Sequence, residues 1–123
     1  MARILVIDDE PQIRKLLKQM IEKDGHEAVL AENGTEGIRC NREFPADLII
    51  TDIFMPEKEG IETIMELKTL WPSTKIIAIS GGGSKGHVDY LDIAKNLGAA
   101  ATLNKPLRRQ ELMAAIEALL AEK

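Results

Sequence analysis

The chain has 123 residues, 45% of them apolar and 29% charged, with a formal net charge of −4. That length suits one compact domain with a real core, and the composition excludes a chain that is mostly disordered. The acidic balance argues against direct nucleic-acid binding or affinity for an anionic membrane, and no apolar stretch approaches the roughly 20 residues that span a bilayer.

From Met1-Ala2-Arg3 the sequence passes straight into an apolar run, Ile4-Leu5-Val6-Ile7, which ends on Asp8-Asp9. No secretory leader is expected, and the single Cys40, unable to pair within the chain, fits a cytoplasmic protein. Cys40 itself reads as a small buried group on a helix. Residues 11–23 are predicted as the first helix, with Ile13, Leu16, Leu17, Met20 and Ile21 at helical spacing, Pro11 in the first turn and Asp24-Gly25 as the stop. A second strand is predicted over 28–31, then Asn33-Gly34 opens a helix to about residue 43. The third strand, Leu48-Ile49-Ile50-Thr51, ends on Asp52. A helix over 59–70 turns Ile61, Ile64 and Leu67 inward, and Pro72 ends it beside a packed Trp71.

The fourth strand, Ile76-Ile77-Ala78-Ile79, ends on Ser80 and is followed by a glycine-rich loop over 81–86. A fourth helix carries Tyr90, Ile93, Ala94 and Leu97 on one face and closes at Gly98. The fifth strand, Ala100-Ala101-Thr102-Leu103, runs through Asn104 into Lys105-Pro106. The last helix covers 108–121, with Leu112, Ile116, Leu119 and Leu120 inward. His26 and His87 are expected at the surface, and neither a linker nor a repeat is apparent. Short β-branched runs alternating with helices predict strands buried on both faces. The expected fold is a single doubly wound (βα)5 domain over 1–123, a parallel sheet with helices on both faces and right-handed crossovers.

In such a sheet, ligand chemistry gathers outside the carboxyl ends of the strands. Asp8, Asp9, Asp52, Ser80 and Lys105 should therefore converge. Two carboxylates about 4 Å apart repel by roughly 4 kcal/mol at an effective dielectric near 20, so the acids need a proton or a cation. An oxygen-only set suits a hard ion such as Mg²⁺. Metal, ammonium and hydroxyl around one free carboxylate are what phosphoryl transfer requires, and a carboxylate can itself be the nucleophile. Asp52 is the natural acceptor, alone on a central strand while Asp8 and Asp9 form the metal-holding pair. Each residue also has a structural alternative. Asp8-Asp9-Glu10 can cap the first helix, Asp52 and Ser80 can form turns, and Lys105-Pro106 can be a loop. Their coincidence at the ends of the strands favours a site.

These residues resemble the receiver domain of two-component response regulators. The likeness rests on Asp8-Asp9, Asp52 with Met55-Pro56 and Gly60, Ser80, Gly98-Ala99 and Lys105-Pro106, and it covers essentially the whole chain. The resemblance implies a flavodoxin-like sheet of order 2-1-3-4-5. It implies that Asp52 accepts a phosphoryl group from a histidine of a sensor kinase or histidine phosphotransfer protein. Mg²⁺ would be held by Asp9, Asp52 and the Phe54 backbone carbonyl, with Asp8 acting through water. Ser80 and Lys105 would contact the phosphoryl oxygens and couple them to the face made by the fourth helix, fifth strand and last helix, where a downstream effector protein or output domain binds. Such a chain is a self-phosphorylating switch rather than an enzyme acting on a separate substrate, and it is either stand-alone or cut from a longer protein. An aspartyl-phosphate phosphatase or phosphotransferase is the alternative, but no cap segment or extra acid is apparent. The family usually places an aromatic residue three positions before the lysine; here that position is Thr102.

Overall fold

The structure, a computed structural model, describes residues 2–53, 60–80 and 95–122. Five parallel strands form one sheet: β1 (Arg3–Ile7), β2 (Glu27–Ala31), β3 (Leu48–Asp52), β4 (Lys75–Ser80) and β5 (Ala101–Asn104). Their order is β2-β1-β3-β4-β5, the flavodoxin-like arrangement expected. Between and after them run α1 (Pro11–Lys23), α2 (Gly34–Glu43), α3 (Gly60–Leu70) and a C-terminal helix (Arg109–Ala121). Of the predicted fourth helix the described residues include only the end: Lys95 and Asn96 are helical, and Gly98 closes the turn at a φ of 117°. Phe54, Met55-Pro56, the 81–86 loop, His87, Tyr90, Leu91, Ile93 and Ala94 lie outside the described residues.

Alternation along the central strands divides the core in two. Leu5, Ile7, Ile49, Ile76 and Ala78 pack with Ile38, Ile64 and Leu67 beneath α2 and α3. Ile4, Val6, Leu48, Ile50, Ile77 and Ile79 pack with Leu17, Ile21, Leu112 and Ile116 beneath α1 and the C-terminal helix. Each such side chain contributes roughly 1.5–3 kcal/mol by leaving water. That is why these strands read as continuous apolar runs.

Local chemistry fixes the helix starts. Pro11 begins α1 without a side-chain cap from Glu10. Asn33 caps α2 by accepting from the Glu36 N–H at 2.8 Å, while Glu36 reaches back to the Glu32 N–H at 2.7 Å. At Gly37 the α2 backbone comes so close to β1 that a Cβ would collide with Ile7 Cδ1 and lie 2.7 Å from its Cγ1. Lys75, at the start of β4, donates to the Leu119 and Glu122 carbonyls at 2.6 and 2.8 Å and so closes the C-terminal helix.

Three expectations need correction. Leu16 is 38% exposed: Leu17 and Ile21 fill the sheet-facing stripe, leaving Leu16 at its margin. β5 starts one residue late, because the Ala100 N–H is taken by the Ile76 carbonyl at 2.7 Å before strand pairing begins at Ala101. His26 is not a surface residue. Its side chain is 11% exposed; Nδ1 accepts from the Ala2 N–H at 3.0 Å and Nε2 meets Glu117 Oε2 at 3.0 Å.

Candidate functional site

Parallel strands present their carboxyl ends along one edge. Asp8 follows β1, Asp52 closes β3, Ser80 closes β4, and Lys105 follows β5. Register places Asp52 beside Ile79 and Ser80 beside Asn104, one step farther along. The Lys105 N–H donates to the Ser80 carbonyl at 2.8 Å, which carries the β4–β5 ladder past the end of the strand. The lysine side chain then lies along the edge, over the acids. Its Nζ stands 2.8 Å from Glu10 Oε1, 3.1 Å from Asp52 Oδ2 and 3.2 Å from Asp8 Oδ2.

Burial separates these partners. The Asp8 and Asp52 side chains are 1% and 4% exposed, that of Lys105 13%, and that of Glu10 58%. The loop after β1 is held by side chain to backbone bonds: the Glu10 N–H donates to Asp8 Oδ1 at 2.9 Å, and the Arg14 guanidinium donates to the Asp8 carbonyl at 2.7 Å. Burial pushes the Asp8 carboxyl up to about 6, against the Glu10 N–H, which favours the anion; the Asp52 charge adds to the rise and Lys105 opposes it. For Lys105, burial acts to lower the pKa. The Glu10 hydrogen bond and the charges of Asp52 and Asp8 outweigh it and hold the ammonium above its ordinary range.

Asp8 Oδ2 sits within ion-pair distance of Lys105, yet it is buried and makes no hydrogen bond, because the approach is poorly angled. A buried anionic oxygen that shares one ammonium with two other carboxylates is open to a second cation. Carboxylate oxygens of Asp8, Glu10 and Asp52 all lie within 4.8 Å of one another. Hard oxygen donors, one of them unsatisfied, fit Mg²⁺. Asp9, half-buried, is not in this cluster, and the Phe54 carbonyl lies outside the described residues.

Thus Asp8, Asp52 and Lys105 meet as the sequence predicted, with buried Ser80 on the adjoining strand end. Glu10 was missed: an acid just before a helix is so ordinary a dipole partner that nothing distinguished it. In the structure its carboxylate makes no cap bond and goes to Lys105 instead. Thr102 is half-buried in β5 opposite Ala78, and with Asn104 and Arg108 it lines an open cavity beside Lys105. Arg109, at the start of the C-terminal helix, pairs with Asp24 at the end of α1 at 3.1 Å.

The sequence profile described as "Response regulator receiver domain" matches residues 4–117. Protein PilH of Pseudomonas aeruginosa is 35% identical over 121 residues, which cover 98% of this chain and 99% of PilH. Chemotaxis protein CheY of Halobacterium salinarum is 32% identical over 118 residues, 96% of either chain. Against transcriptional regulatory protein GlrR of Escherichia coli the identity is 31% over 121 residues, and there the chain spans only 27% of the relative's length. A crystal structure of a response regulator receiver domain protein from Clostridium thermocellum superposes with a TM-score of 0.90 at 36% identity, covering 98% of this chain and 94% of that one. The matched stretch takes in all five strands and the edge where acids and lysine meet, and the chain belongs to the receiver-domain family of two-component response regulators.

Proposed function

We propose that this chain is a phosphorylation-driven switch whose acceptor is Asp52. The observation that carries the proposal is the buried Asp52 carboxylate held 3.1 Å from Lys105 Nζ at the strand edge, beside Asp8. An Asp52 oxygen attacks the phosphorus of a phosphohistidine on a sensor kinase or phosphotransfer protein. The new P–O bond forms as the P–N bond breaks, and the imidazole leaves with the electron pair and takes up a proton. Mg²⁺, when bound, neutralises charge on the phosphoryl oxygens. Asp8, Asp9, Asp52 and the Phe54 carbonyl are its proposed ligands, with Glu10 within reach. Lys105 and Ser80 bind the transferred group, as ammonium and hydroxyl donors.

The domain 1–123 then acts as one unit in the cytoplasm, and its readout is altered binding of an effector protein or an output domain. PilH and CheY support a stand-alone regulator, whereas GlrR supports a receiver joined to further segments. A threonine at position 102 cannot supply a ring that swings between pocket and surface. Coupling instead runs from the end of β4 at Ser80 to β5, a two-state element biased by the new charge.

Incubation with Mg²⁺ and a small acyl phosphate, followed by mass mapping, tests the assignment. A single adduct on Asp52, lost in Asp52→Asn, is expected. Full labelling of that variant at another residue would overturn it.

A further inference from the structure

We infer that Glu10 is a positioning residue that holds the Lys105 ammonium in the unphosphorylated state and so slows loading of Asp52; this rests on Asp52 being the acceptor. An ammonium has three N–H donors and no acceptor. Lys105 makes its shortest contact, 2.8 Å, with Glu10, and hydrogen-bonds Asp52 at 3.1 Å, whereas Asp8 Oδ2 receives no hydrogen bond. The arriving phosphoryl group needs that ammonium turned toward it, and Glu10, its nearest and most exposed partner, is the one that holds it elsewhere.

Glu10 is suited to be displaced. Its backbone is pinned: the carbonyl accepts from the Ile13 and Arg14 N–H groups at 3.1 Å each, and the N–H is bound to Asp8 Oδ1. Its side chain is the exposed member of the group, at 58%, and does not cap α1. The carboxylate can therefore turn into water at little cost, while Asp8 and Asp52 cannot. It acts in two ways with the same sign. It occupies Lys105, and its charge stands beside the position that a dianionic phosphoryl donor must reach. An exposed ion pair is weak, so the effect is modest: removing the charge should speed loading roughly two- to fivefold.

The test compares wild type with Glu10→Gln at saturating Mg²⁺, using acetyl phosphate as donor at low and high ionic strength. Mg²⁺ affinity and the Lys105 side-chain NMR resonances are recorded for both proteins. Faster loading in the variant, a gain that shrinks with salt, and a shifted Lys105 signal before phosphorylation are expected. Equal rates, or an unmoved Lys105 signal, would overturn the role of Glu10 and leave the acceptor assignment standing. Slower loading with weakened Mg²⁺ binding would make Glu10 a metal ligand and overturn it as well. Absence of an Asp52 adduct in wild type would defeat the acceptor assignment itself, and this inference with it.

Discussion

The Lys105 backbone N–H and the Ser80 carbonyl are joined at 2.8 Å, so the strand ends that bear the ammonium and the hydroxyl form one hydrogen-bonded unit. Movement of either end is felt by the other. Four expectations follow from this edge and from the packing behind it.

Lys105 is the ammonium shared by Asp8 and Asp52. Replacing it by methionine leaves two buried carboxylates facing each other, and breaking a buried pair in this way costs about 3 kcal/mol. Lys105→Met should lose stability of that order at pH 7 without Mg²⁺ and regain part of it at pH 5, where Asp8 takes a proton. Denaturant melts at the two pH values measure this; an equal loss at both would give Lys105 a packing role alone.

Asp8 titrates near 6 in the folded chain against an ordinary 3.8, so the native state binds the proton more tightly than the unfolded one. Its contribution therefore falls as pH rises from about 4 to about 6 and is level above that. Asp8→Asn should flatten this slope and raise the thermal midpoint at pH 7 in Mg²⁺-free buffer. Mg²⁺, which favours the anion, should bind wild type more tightly at pH 7 than at pH 5. A wild-type midpoint that climbs between pH 5 and 7 without metal would contradict the shift.

Gly37 touches Ile7 where α2 meets β1, and Ile7 is fully buried. Gly37→Ala should destabilise by about 1–3 kcal/mol through overpacking. Adding Ile7→Val, which removes Cδ1, should recover part of the loss. If the double variant is simply the sum of two losses, the two residues are not in contact.

His26 holds Ala2 and Glu117 through opposite ring nitrogens, which places its proton on Nε2 when the ring is neutral. His26→Ala should cost about 1 kcal/mol and speed amide exchange at Ala2. Nitrogen-15 spectra of the ring should show the Nε2–H tautomer. A dominant Nδ1–H form would rule out the Ala2 bond.

Much of this was legible in the sequence, for a physical reason. A strand buried on both faces must be an unbroken apolar run, and so β1, β3 and β4 stand out with their polar ends attached. Asp8, Asp52 and Ser80 could be read from those ends, and Lys105 from the end of the shorter fifth run. Glu10 could not, since its partner lies 95 residues away and its position has an ordinary explanation. His26 was misread for the same reason: the contact that buries it spans 91 residues, and its neighbours in the chain are polar. Leu16 shows the limit of periodicity, which marks a stripe but not its width.

The two-sided burial of β3 has a further consequence. With Leu48, Ile49 and Ile50 all shielded from water, a slip by one residue would exchange the two faces and still hide every aliphatic group. Hydrophobicity is thus nearly indifferent to the alignment of this strand. Polarity is not: the same slip would carry Asp52 to the opposite side of the sheet, away from Lys105 and Asp8. The carboxylate at its end therefore also acts as an index mark that tells the central strand where to stop. An insertion within β3 should leave a folded protein in which Asp52 no longer meets Lys105.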